Sequence, residues 1–461
     1  MNHNDDFVWG VASSAYQTEG ASTHEGKGAS IWDDFTSKKG KILLNQNAIE
    51  ACNFYHRYPA DLKLMNTLGI ENFRFSISWP RVLPNGIGEV NTKGLDFYDR
   101  LVDECLENKI NPWITLYHWD LPSQLEQKGG WVNREIINWF NEYISIVANK
   151  LADRVNKWMV LNEPMVFTGA GYFLGVHAPG KKGPDNFLRA THHTALCQSS
   201  TIRILKELMP NSEVGTTFSC SYITPYSQDL KDREAAIRVD TLLNRLFIEP
   251  LLGYGYPIDR LPFLSKIEKF MKPDDYELLK AIPDFIGVQN YTREVVKHSM
   301  MTPYLRASIV AANKRNVKST VMNWEVFPES LYQMINQFNE YPEVKKIYVT
   351  ENGAAFNDLI INNNIHDAER ISYLKSCISE MNRAKKEGAR VNGYFVWSFT
   401  DNFEWTEGYL PRFGIVHVDY KTQKRTVKDS GYWYSNFLKN EKETKFASEN
   451  LETLFNNNFS S

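Results

Sequence analysis

Short apolar runs alternate along this chain with longer stretches in which apolar residues recur every three or four positions. The short runs read as strands and fall at 7–17, 71–78, 111–119, 157–164, 213–222, 284–291, 346–351 and 391–399. The longer stretches read as amphipathic helices. They are clearest at 134–153, where Ile136, Phe140, Tyr143, Ile144, Val147 and Leu151 share a face, and at 366–388, where Ile371, Leu374, Ile378 and Met381 do. Such alternation predicts a parallel α/β architecture. Eight strand–helix units with no break in composition predict one domain over residues 1–445, a single (β/α)8 TIM barrel. The Asn-rich stretch 446–461 is expected to be a poorly ordered tail. An open doubly wound sheet would need a glycine-rich phosphate turn after its first strand, and Val11-Ala-Ser-Ser-Ala-Tyr-Gln17 is not one.

On this map the polar residues gather in one place. Gln17, His118, Asn162, Glu163, Tyr291, Glu351 and Trp397 all fall at or just past the C-terminal ends of predicted strands, the rim where barrel enzymes keep their active sites. Glu163 and Glu351 each close a short apolar run just before a Pro or Gly that stops the strand. Two carboxylates across one rim are what cleavage of a glycosidic bond needs, one as acid and one as nucleophile. In the second strand Phe73, Phe75 and Ile77 face one way, and Arg74, Ser76 and Ser78 the other. A buried arginine needs an anion, and Glu351 is the candidate.

Composition narrows the alternatives. The 461 residues carry 55 acidic against 52 basic side chains, a formal charge of −3, which recommends neither a nucleic acid nor a membrane surface as partner. No apolar run is long enough to span a bilayer, and Met1-Asn-His-Asn-Asp-Asp6 lacks the marks of a signal peptide. Five widely spaced cysteines form neither a metal motif nor a disulfide framework, so a cytoplasmic location is expected, with no metal and no cofactor. Aromatic residues reach 13%, including 12 Trp, and carbohydrate sites set aromatic faces against sugar rings. His192 and His193 are adjacent on a helix, cannot share a face and do not make a metal pair. His177 reads as a packing residue in a loop near the mouth of the site.

With these residues in view the sequence resembles the family 1 glycoside hydrolases, the β-glucosidase family, across residues 5–440. The resemblance rests on the stretch Phe7–Gly20, on Phe73-Arg-Phe-Ser-Ile-Ser-Trp-Pro-Arg81, and on Thr115-Leu-Tyr-His-Trp-Asp-Leu-Pro122. It continues through Leu161-Asn-Glu-Pro164, Val349-Thr-Glu-Asn-Gly353, Asp401-Asn-Phe-Glu-Trp405 and Arg412–Tyr420. It implies a retaining exo-β-glycosidase that hydrolyses terminal β-D-glucosyl residues of a small-molecule glycoside, with β-galactosides and β-fucosides tolerated. By the same resemblance Glu163 is the general acid/base and Glu351 the nucleophile, the latter held ionised by Arg74 and Tyr291. Gln17, His118, Trp119, Asn162, Glu404 and Trp405 bind the terminal sugar, Trp397 is its stacking floor, and Trp324 forms a platform for the leaving group. A cis peptide is implied at Trp397–Ser398. The chain departs from the family at Gln289-Asn-Tyr291, where Asn-Tyr-Tyr is usual, at Phe399-Thr400, where paired Leu is commoner, and at Met165, where Trp is common. These departures bear on the leaving group rather than on the reaction. Two alternatives stand beside this reading. A 6-phospho-β-glycosidase would replace Glu404–Trp405 with a phosphate-binding set, and a non-catalytic sugar-binding relative would lack one of the two glutamates.

Overall fold

The computed structural model describes the backbone of residues 7–458 and the side chains of residues 7–445. Eight strands close into a barrel: β1 (Val8–Ala12), β2 (Asn72–Ser76), β3 (Asn111–Tyr117), β4 (Lys157–Asn162), β5 (Glu213–Ser219), β6 (Phe285–Gln289), β7 (Ile347–Asn352) and β8 (Val391–Trp397). Each pairs in parallel with its neighbour in sequence, and β8 closes onto β1. Every predicted strand is found, most of them shorter than expected. The first stops at Ala12 because Ala15–Thr18 turns into a short helix, and that helix carries Gln17. The two clearest helical patterns appear as Ile136–Leu151 and Ala368–Lys386. The expectation of a loose tail over 446–461 falls on side chains outside those described.

Strand alternation sorts the core into an outer and an inner part. Phe73, Phe75 and Ile77 pack outward into the large core between barrel and helices. Inside the barrel a second cluster of Trp113, Met159, Phe285, Tyr348 and Phe395 fills the bottom. The Trp113 ring centre lies 4.9 Å from that of Tyr348 and 5.0 Å from that of Phe395, both edge-on. This plug excludes water from below, and truncating Trp113 to Ala should cost about 3–5 kcal/mol.

Two strands break their alternation near their C-terminal ends. The β4–β5 register shifts between Met159 and Asn162, and the β7–β6 register shifts between Val349 and Glu351. Without the shift, Glu351 would share the outward face of Ile347 and Val349, and Asn162 that of Val160. Irregularities of this kind re-aim side chains next to active sites. Gly353 then follows because the chain passes so close to strand β8 that a Cβ there would lie 1.8 Å from the Trp397 carbonyl oxygen.

Candidate active site

The inward turn of Glu351 delivers its carboxylate to a set of donors. Arg74, fully buried, donates to Oε1 at 2.5 Å, and the Tyr291 hydroxyl donates to Oε2 at 2.6 Å. The parity of β2 predicted the first contact. A third donor is the amide of Gln289, opposite Glu351 in the barrel register and 2.9 Å from Oε1. The sequence marks Gln289 only as a departure from the family pattern. Its contact with Glu351 follows from the closed barrel. Asn352 supports the arrangement from behind. It donates to the Asn290 carbonyl at 2.6 Å and to the Tyr373 hydroxyl at 3.2 Å, while Tyr373 donates to the Tyr291 carbonyl at 2.9 Å.

Glu163 has a different environment. It caps the short helix Pro164–Thr168 with φ 49° and ψ 63°, a left-handed conformation costly for a residue with a side chain. Fixed there, its side chain is 7% exposed at the cavity wall. Burial, then the nearby charge of Glu351, pushes its carboxyl well above the usual range. Burial also pushes Glu351 up, but Arg74 and Tyr291 bond it directly and work against that, whereas Glu163 has no ion pair among the described residues and feels Arg74 only from a distance. A single proton shared by the pair therefore resides on Glu163.

Above the pair lies a cavity of about 380 Å³, walled by aromatic rings and carboxyls. Trp397 forms part of its floor, its ring centre 6.0 Å from that of His118, and the Trp397–Ser398 peptide is cis. Asn162 links His118 to Arg74 and Gln289, the donors to Glu351. Its Oδ1 accepts from Arg74 at 2.5 Å and Gln289 at 2.8 Å, and its amide nitrogen lies 3.0 Å from His118 Nε2. That contact makes Nε2 the acceptor and leaves the proton on Nδ1, which is buried without a protein partner. Burial holds the ring well below the usual histidine range, so it is neutral. A neutral buried donor facing a cavity suits a sugar hydroxyl.

At the far end Gln17 is fully buried and spends its amide on Phe403 O at 3.0 Å, Asn402 Oδ1 at 3.2 Å and Glu404 Oε2 at 3.4 Å. The loop that carries Glu404 is tied down by Asp401, which takes Lys428 and Arg412 at 2.7 Å each. Burial, and next the charge of Glu351, push the Glu404 carboxyl up to about 8, which favours its protonated form at neutral pH. Trp405 packs against Trp119 with ring centres 4.4 Å apart, and Trp119 spends its indole N–H on the Asn162 carbonyl at 2.9 Å. Trp119 thus has only its ring face to offer a ligand.

Trp324 sits on the outer wall, its ring centre 5.3 Å from that of Tyr291 and 6.1 Å from that of Phe413. His177 lines the same cavity and packs against Trp32 and Trp119, with burial holding it down at about 4. His192 and His193 lie elsewhere. His192 bridges Tyr256 at 3.0 Å and Asp275 at 2.8 Å, and His193 contacts the Trp131 carbonyl at 2.9 Å. Among the described residues no group of three or more His, Cys, Asp or Glu is placed to hold a metal ion. Nor is any helix among them long and apolar enough to cross a membrane.

A protonated and an ionised carboxyl in one cavity can together protonate a leaving group and attack the carbon it departs from. The sequence model described as glycosyl hydrolase family 1 matches residues 1–443. A beta-glucosidase A of Thermotoga maritima is 42% identical over 438 residues, covering 95% of this chain and 97% of the relative. A beta-glucosidase A of Acetivibrio thermocellus is also 42% identical, covering 94% and 98%. A 6-phospho-beta-galactosidase of Clostridium acetobutylicum is 34% identical, covering 94% and 96%. The solved structure of the Thermotoga maritima beta-glucosidase in complex with glucoimidazole superposes with a TM-score of 0.91 at 41% identity, covering 95% of this chain and 98% of that one.

Proposed function

The chain belongs to glycosyl hydrolase family 1, a family of retaining glycosidases, and on that premise we propose that it is a β-glucosidase releasing terminal β-D-glucosyl residues. The observation that carries the reading is the unequal environment of the two glutamates. Glu351, with Arg74, Tyr291 and Gln289 on its oxygens, is the nucleophile that forms the glycosyl-enzyme bond. Glu163, buried without an ion pair, protonates the departing oxygen and then deprotonates the water that releases the sugar. Asn162, held between Arg74 and His118, faces the 2-hydroxyl, where contacts tighten in the transition state. Gln17, His118, Trp119, Glu404 and Trp405 bind the remaining hydroxyls and ring edges, Trp397 is the floor, and Trp324 backs the leaving group. No nucleic acid enters this chemistry. Five buried cysteines, all free thiols, support a reducing cytoplasm.

A 6-phosphorylated sugar is disfavoured by the lining itself. The cavity presents five glutamates, among them Glu404, and no Lys or Arg, so a phosphate dianion would meet carboxyls and no cation. The test is kcat/KM for matched 4-nitrophenyl β-glucoside, β-galactoside and 6-phospho-β-glucoside. Glucoside is expected to lead, galactoside to follow, and the phosphorylated substrate to be nearly inert. Preference for the phosphorylated sugar would overturn the assignment.

A further inference from the structure

The outer half of the cavity carries a carboxyl that the two-glutamate reaction does not use. Glu294 lies three residues past Tyr291, on the strand Arg293–His298, and lines the same cavity as Glu163 and Glu351. Three residues of chain reach at most about 10 Å. Thr292 and Arg293 beside it bond Glu325, the neighbour of Trp324, so Glu294 lines the cavity on the Trp324 side, where the leaving group is proposed to sit.

The cations near Glu294 are committed to another residue. Arg293 donates to both oxygens of Glu325 at 2.9 Å each, and its guanidinium stacks 3.9 Å from the Phe327 ring centre. Arg315 donates to the same Glu325 at 2.5 Å. Among the described residues the Glu294 carboxyl has no hydrogen-bond or ion-pair partner. Burial pushes it up to about 7, against the pull of Arg315. A half-buried acceptor without a partner is costly unless a ligand meets it. Ser221 lines the same cavity. Trp324, Met322, Val166 and Leu243 give the same cavity apolar lining.

A wall with both characters matches a ring that has one apolar face and hydroxyls at its edge. We propose that Glu294 selects the leaving group, accepting hydroxyls of a second sugar unit in a β-linked oligosaccharide in preference to a flat aryl aglycone. This rests on the reading of Glu163 and Glu351 as the catalytic pair. Glu294 is assigned to binding alone.

The test compares wild type, Glu294→Leu and Glu294→Gln on cellobiose and on 4-nitrophenyl β-glucoside, with melting curves to verify folding. Loss of a hydrogen bond to a carboxyl corresponds to roughly tenfold to a hundredfold. Glu294→Leu is expected to lose that much kcat/KM on cellobiose and less than about threefold on the aryl glucoside. Glu294→Gln, whose amide oxygen still accepts, is expected to retain more of the cellobiose activity than the Leu variant. Equal losses on both substrates, or no loss on either, would overturn the proposal. Hydrolysis of neither glucoside by the wild type would overturn the underlying reading and this proposal with it.

Discussion

Gln289 and Glu351 stand opposite each other in neighbouring barrel strands, and the Gln289 amide donates to the Glu351 carboxylate at 2.9 Å. The same nitrogen lies 2.8 Å from Asn162 Oδ1. One side chain thus ties the carboxylate of the proposed nucleophile to Asn162, for which we propose the 2-hydroxyl contact.

Gln289→Leu keeps the volume and removes the donor. A hydrogen bond to a charged group is worth about 1.5–3 kcal/mol, so kcat/KM for 4-nitrophenyl β-glucoside should fall roughly tenfold to a hundredfold. A carboxylate that loses a donor titrates higher, so the acidic limb of the kcat/KM profile should move to higher pH. A lower melting temperature with an unmoved limb would mean that Gln289 serves only packing.

The roles of the two glutamates separate by leaving group. Glu351→Ala should abolish turnover of every substrate, since no covalent intermediate can form. Glu163→Ala should spare the first step for 2,4-dinitrophenyl β-glucoside, which needs little protonation, and added azide should speed the second. Equal loss on good and poor leaving groups would contradict the assignment of Glu163.

Much of this site is legible in the sequence, for a physical reason. An apolar run that ends in a carboxylate before Pro or Gly marks a strand end at the rim, and the parity of β2 places Arg74 inside beside an anion. What is not legible depends on closure of the barrel. Strict alternation would turn Glu351 and Asn162 outward, and only the register shifts before them bring both inside. Gln289 gains its contact from a strand about sixty residues away, and Trp119 loses its N–H to a carbonyl that local sequence does not reveal. The protonated state of Glu404 comes from burial and from Glu351, neither of which is adjacent in the chain.

Glu404 should make stability depend on pH. Its carboxyl is pushed up to about 8 in the fold against about 4.3 in an unfolded chain. The folded state then binds the extra proton, so this residue destabilises the fold progressively as pH rises from about 4.5 to about 8. Glu404→Gln removes that penalty. Its melting temperature relative to wild type should climb across this window while activity falls. A difference that stays flat with pH would contradict the protonated state.

His192 and Asp275 should matter for folding and not for catalysis. Asp275 is buried, takes both His192 and Arg134, and is held below the usual carboxylate range despite its burial. Asp275→Ala leaves Arg134 without its carboxylate and His192 with Tyr256 alone, and should cost about 3–5 kcal/mol, with the folded fraction keeping wild-type kcat. A fall in kcat at unchanged melting temperature would place this cluster in the reaction.

The central claim is that Glu351 carries the sugar between the two steps. A 2-deoxy-2-fluoro-β-glucoside with a good leaving group slows both steps, and mass spectrometry of the proteolysed protein then locates the adduct. The account predicts one fluoroglucosyl group per chain, on the peptide containing Glu351 and absent from Glu351→Ala. An adduct on Glu163, or turnover with no covalent species, would contradict it.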